Sequence, residues 1–159
     1  MKPNVLKYSL FAIAVITVIG FFAFTYVPPK ENTTSVVAAD EKGIQFIEQD
    51  WSKALQQAKA EKKLVFLDIY ATWCGPCKML KKNTFSNEEV GAFFNSNFIN
   101  VSVDGEKTIG PELARKFSLE AYPTLIIADG EGNPVLFTMG YLDPETLMKF
   151  AKEALKRKS

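Results

Sequence analysis

LVFLDIYATWCGPCK, residues 64–78, decides the fold. It opens with seven residues, Leu64 to Tyr70, among which Asp68 is the only charge. A near-continuous apolar run of this length is the pattern of a strand buried on both faces. It leads directly into Cys74-Gly75-Pro76-Cys77, where a helix should begin and run toward Lys82. A strand that delivers two cysteines to the start of a helix is a chemical arrangement as well as a fold signal. A thiol at a helix N-terminus meets unpaired N–H groups and a partial positive charge, and both stabilise its thiolate. Cys74 sits at that end and is expected to be the more exposed sulfur. Cys77, three residues on, is close enough to close a ring and is expected to face inward.

The magnitudes suit thiol–disulfide exchange. Lowering a thiol pKa from about 8.5 to about 7 raises its thiolate fraction at neutral pH from roughly 3% to roughly 50%. A Brønsted slope near 0.45 returns about fivefold of that gain in lost nucleophilicity. The net acceleration of attack is only a few-fold. The larger benefit is that Cys74 becomes a better leaving group when Cys77 attacks it. A purely structural role is weaker, since a four-residue disulfide loop yields about 2 kcal/mol of chain entropy before strain is subtracted. The chain holds two cysteines and no histidine. A zinc site would therefore need two further good ligands, which only a four-thiolate site across a dimer could supply. No metal site and no cofactor beyond the Cys74–Cys77 pair is expected.

Outward from this centre, the pattern alternates. Gly43–Ile47 is a candidate short strand, and Asp50 is placed to cap a helix over 51–62 that carries Trp51, Ala54, Leu55 and Ala58 on one face. Ser86-Asn87-Glu88-Glu89 has capping-box spacing ahead of Val90, Phe93 and Phe94. Phe98–Val103 is a second apolar strand, and Pro111 opens a short helix through Phe117. Tyr122-Pro123 precedes a strand at 124–128, Asp129 to Asn133 turn the chain, and 135–139 pairs back. Asp143-Pro144-Glu145 starts a last helix with Leu147, Phe150, Ala151, Ala154 and Leu155 at i, i+3, i+4, i+7 and i+8. Alternating strands and helices closed by a hairpin and a helix predict an α/β sandwich with a mixed sheet. Residues 43–159 carry 15 basic and 15 acidic side chains. A neutral domain lacks the clustered Lys and Arg that nucleic acid requires.

The N-terminus has another character. Tyr8 to Val27 is 20 residues without a charge, long enough at about 1.5 Å per residue to cross the roughly 30 Å of a bilayer core. Pro28 and Pro29 end it. A cleaved signal peptide would have a shorter apolar run with small residues close behind, whereas Val37-Ala38-Ala39 begins ten residues past Val27. The expected organisation is a cytoplasmic tail at 1–7, a transmembrane anchor at 8–27 in contact with lipid, a polar tether at 28–42 and a domain at 43–159. Lys2 and Lys7 precede the apolar run without an acid, which places the N-terminus inside and the domain in the periplasm or an equivalent exported space.

Asp68, Trp73-Cys74-Gly75-Pro76-Cys77-Lys78 and Tyr122-Pro123-Thr124 together resemble the thioredoxin family over residues 44–157. LDIYATWCGPCK, NTFSNEEV, Val103-Asp104, YPTLII and GYLDPETL are more closely similar to the C-terminal exported domain of the transmembrane reductase DsbD and its stand-alone membrane-anchored relatives. The resemblance implies a thioredoxin-like fold, a central mixed sheet flanked by helices, and a protein-disulfide reductase. It implies that Cys74 attacks and Cys77 resolves, that Asp68 is the buried acid moving the Cys77 proton, and that Pro123 is cis. Trp73, Gly75, Pro76, Tyr122, Pro123 and Gly140 would shape the substrate groove. Two departures stand out. Asn100 occupies the position where thioredoxin has a lysine near the buried acid, and Lys82 that of a helix-kinking proline. The implied partners are exported proteins with disulfides and a membrane electron donor. Cytochrome c maturation and a non-redox peptide-binding module are the alternatives.

Overall fold

The computed structural model describes residues 42–158, and the tail expected at 1–7, the anchor at 8–27 and, except for Lys42, the tether at 28–42 lie outside them. Among the described residues no helix is long and apolar enough to cross a membrane. The elements in chain order are β1 (Ile47–Glu48), α1 (Trp51–Glu61), β2 (Leu64–Tyr70), α2 (Gly75–Leu80), a π-helical turn (Lys81–Phe85), α3 (Glu88–Asn97), β3 (Phe98–Asp104), α4 (Gly110–Lys116), β4 (Thr124–Ala128), β5 (Pro134–Met139) and α5 (Pro144–Lys158).

Alternation along β2 explains the layering. Val65, Leu67 and Ile69 point to one face, where Trp51, Ala54 and Ala58 of α1 and Leu113 of α4 cover them. Leu64 and Phe66 point to the other, against Leu80, Phe85, Val90 and Phe94 and the Leu147, Ala151 and Ala154 stripe of α5. The strand is thus apolar on both sides, as a central strand must be. The sheet order is β1-β3-β2-β4-β5. β3 runs parallel to β1 and β2, while β4 is antiparallel to β2 and β5. The mixed sheet between two helical layers is the expected α/β sandwich.

Three local expectations change. β1 is two residues long, not five, because Gly43–Phe46 is held without a strand ladder: Ile44 N–H donates to Phe85 O at 2.7 Å, and the Asn95 side chain accepts from Gln45 N–H and donates to Gly43 O. A Cβ on Gly91 would lie 2.3 Å from Gly43, so the glycine at 91 lets this strap lie directly on α3. The helix after the cysteines does not stop near Lys82 but widens into the π turn, which aligns Leu80 with Phe85 in the core five residues apart. Finally, Asn87 rather than Ser86 caps α3: Asn87 Oδ1 accepts from Val90 N–H at 3.0 Å, while the Ser86 hydroxyl donates to Lys82 O.

Candidate functional site

Cys74 is the N-cap of α2, and its Sγ accepts the N–H of Cys77 at 3.1 Å. The side chain that ends the strand-to-helix turn is therefore the one that receives the helix's free amide. In the reduced protein that contact would stabilise a thiolate. Here the two sulfurs are joined as a disulfide. Cys74 is 2% exposed and Cys77 8%, so the sequence expectation that Cys74 is the more exposed cysteine does not hold. The reason is local packing: Ala71, Cys74 and Cys77 form a small cluster with Tyr70 and Tyr122 against it. Trp73, 65% exposed, meets Tyr122 edge-to-face at 5.9 Å and donates its indole N–H to Glu106. Glu106 is a partner that sequence reasoning did not single out.

The peptide between Tyr122 and Pro123 is cis. Gly140 has φ of 89°, in the left-handed region that favours glycine, and its N–H donates to Pro123 O at 2.8 Å. The chain after β5 is thereby fastened to the chain before β4. Nothing lies within 4 Å of where a Cβ would stand on Gly140 or on Gly75, so both glycines border open space. Pro76 lies in the first turn of α2, where its missing N–H costs no helix bond. The structure thus joins Trp73 to Tyr122 through ring contact, and Pro123 to Gly140 through a backbone bond.

Asp68 lies behind the disulfide, on the same face of β2 as Leu64 and Phe66. It is 6% exposed. Parallel register sets it opposite Ser102 of β3, whose hydroxyl donates to Asp68 Oδ2 at 3.0 Å. Oδ1 has no hydrogen-bond partner. Asp68, Ser102 and Cys77 line one cavity of about 370 Å³, together with Phe46, Phe85, Glu48 and Lys81. Burial pushes the Asp68 carboxyl up to about 7; the Ser102 hydroxyl opposes the rise, Glu48 adds to it, and Lys81 opposes it. A carboxyl that changes charge near neutrality in the cavity that Cys77 also lines can take and return a proton.

Asn100 has no part in this. Its amide donates to Gln45 O and Asn95 Oδ1, and it pairs with Phe66, two pairs along the register from Asp68, so its work is to hold the strap. Ser102, Glu48 and Lys81 were not legible as neighbours of Asp68. The signal for Ser102 was the parallel pairing of two apolar strands, which places residue 68 opposite 102 once the register is known. Among the described residues no cluster of three or more His, Cys, Asp or Glu is arranged to hold a metal ion.

Comparison with known proteins agrees with this geometry. A family model described as thioredoxin-like matches residues 46–137. A thioredoxin H-type protein of Fagopyrum esculentum is 33% identical over 106 residues, covering 67% of this chain and 85% of that protein. The thiol:disulfide interchange protein DsbD of Yersinia pestis is 34% identical over 79 residues, which is 49% of this chain but only 13% of DsbD. Among solved structures, a candidate disulphide-isomerase from Bacteroides thetaiotaomicron superposes with a TM-score of 0.64 at 41% identity, over 74% of this chain and 98% of that one.

Proposed function

The chain belongs to the thioredoxin-like family of thiol–disulfide oxidoreductases, and from that premise we propose that it is a membrane-tethered disulfide reductase acting on exported proteins. The observation that carries the reading is the Cys74–Cys77 disulfide at the start of α2, with Cys74 Sγ accepting the Cys77 amide. In the reduced state that amide favours the Cys74 thiolate, which makes Cys74 the attacking sulfur. Its attack on a substrate disulfide forms a mixed disulfide and expels one substrate thiolate. Asp68 takes the Cys77 proton. The Cys77 thiolate then attacks Cys74 Sγ, closes the intramolecular disulfide and expels the second substrate thiolate. Two electrons pass to the substrate, and a membrane donor returns the dithiol.

Several features support the finer parts of this reading. Gly75-Pro76 between the cysteines is the thioredoxin-type dipeptide, which favours a reducing couple nearer about −270 mV than the strong oxidants. The exposed Trp73 ring, Tyr122, cis Pro123 and Gly140 suit an extended segment of substrate laid beside the sulfurs. The 20-residue apolar run at 8–27, preceded by Lys2 and Lys7, supports the anchor and an exported domain. The test is a trapping experiment in the native membrane. Cys77→Ser should accumulate mixed disulfides with exported proteins, and Cys74→Ser should not. Equal trapping by both variants, or by neither, would refute the assigned order of attack.

A further inference from the structure

The cavity behind the disulfide is uneven in chemistry. Its floor holds Asp68, Ser102 and Cys77, and its wall the rings of Phe46 and Phe85, whose centroids are 5.1 Å apart. Charged side chains line the same cavity. Glu48 belongs to β1, Lys78 to α2 and Lys81 to the π turn, while Lys42 enters from the strap. Lys42 is 4.0 Å from Glu88 and so faces a carboxylate of its own. Lys81 stands apart from the others by its helix geometry. It follows Cys77 by four residues, and its backbone N–H bonds to Cys77 O. Residues so spaced lie one above the other on a single helix face. The face of α2 that turns Cys77 toward Asp68 therefore turns Lys81 the same way.

We propose that Lys81 is a positioning residue for the dithiol chemistry: from the rim of the cavity its ammonium favours the carboxylate form of Asp68 and so sets the pH at which the Cys77 proton can be taken. The proposal rests on the reading that Asp68 is the proton acceptor. Its physical basis is Coulombic. Lys81 is exposed at the rim, so water screens its ammonium in part, but the carboxyl it acts on is buried and the charge still shifts the balance between its two forms. Desolvation by Phe46, Phe85 and the sheet favours the protonated acid, and Glu48 acts in the same sense from β1. The Ser102 hydroxyl from β3 and the Lys81 ammonium favour the carboxylate. Tyr70 faces the group from β2 as a neutral phenol, since burial pushes its own ionisation upward. Lys81 adds to the stronger influence of the Ser102 hydroxyl in keeping a usable fraction of Asp68 ionised at neutral pH, the condition for removing a proton from Cys77.

The step can be timed directly. Reduced full-length protein in detergent micelles is mixed rapidly with dithionitrobenzoate. Attack by Cys74 releases one nitrothiobenzoate and leaves a mixed disulfide. Cys77 then releases the second in a phase independent of reagent concentration. The rate of that second phase should rise with pH to a plateau as Asp68 ionises. Lys81→Met should move the midpoint upward by about half a pH unit, a roughly threefold loss of rate below it. Lys81→Arg should restore the wild-type midpoint, and Glu48→Gln should move it downward. Asp68→Asn should remove the midpoint, and Lys81→Met should then change nothing further. If Lys81→Met superimposes on wild type while Asp68→Asn removes the midpoint, the role given to Lys81 is overturned and the acceptor role of Asp68 stands. If Asp68→Asn leaves the profile unchanged, both fall.

Discussion

At the scale of single residues, Asp68 has the clearest consequence. Its folded-state pKa of about 7 lies above the ordinary 3.8, so the folded protein binds this proton more tightly than the unfolded chain does. The ionised form therefore weighs against folding, an effect that begins as pH rises past the unfolded value and is complete above about 7. Asp68→Asn keeps the shape, can still accept from Ser102 and removes the buried charge. It should stabilise the fold at pH 8 by on the order of 1–3 kcal/mol, with little effect at pH 4, measured by denaturant unfolding. The same variant should reduce disulfides more slowly. A variant that is less stable at pH 8 yet fully active would show a structural acid. The acid itself was legible as the one charge in an apolar strand, and the two cysteines from their spacing. Cys74's burial was not, because it depends on Tyr122 arriving from a distant loop. Nor were Glu48 and Lys81, which reach the acid only through the assembled cavity.

At the scale of elements, continuous apolar runs made β2, β3 and β4 readable almost to the residue, and Asp50 marked the start of α1 correctly. The misreadings fall where side chains replace regular pairing. The strap at 43–46 is held by side chains, Asn95 and Asn100, and by Phe85 O. The π turn left one trace, the five-residue interval from Leu80 to Phe85, which a helical period of 3.6 does not anticipate. At the start of α3 the capping-box rule favoured Ser86. The geometry assigns the bond to Asn87. Asn87→Ala should therefore cost about 1 kcal/mol, and Ser86→Ala within about 0.5 kcal/mol. Unfolding free energies of the two variants check this. A larger loss for Ser86→Ala would return the cap to the serine.

At the scale of the whole molecule, the domain and the apolar N-terminal run are separate problems, and the second is a matter of sequence. If residues 8–27 anchor the protein, the mature chain should stay in the membrane fraction after an alkaline wash. Recovery of a soluble form beginning near Asp40 would establish a signal peptide in place of the anchor. The domain has a further property that follows from its composition. With no histidine in the chain and both cysteines joined, the groups among the described residues whose ionisation is displaced move away from neutrality, with one exception. Glu61, Asp104, Asp129 and Asp143 are lowered by hydrogen bonds that outweigh burial, while Tyr70 and Tyr122 are raised by burial and Lys107 and Lys149 by their carboxylate partners. Asp68 is the exception. Among the described residues whose ionisation is displaced, Asp68 is therefore the one that should bind and release a hydrogen ion near neutrality in the oxidised protein. A potentiometric difference curve against Asp68→Asn then becomes the binding isotherm of one carboxyl, and its amplitude counts active centres in a preparation without any substrate being turned over.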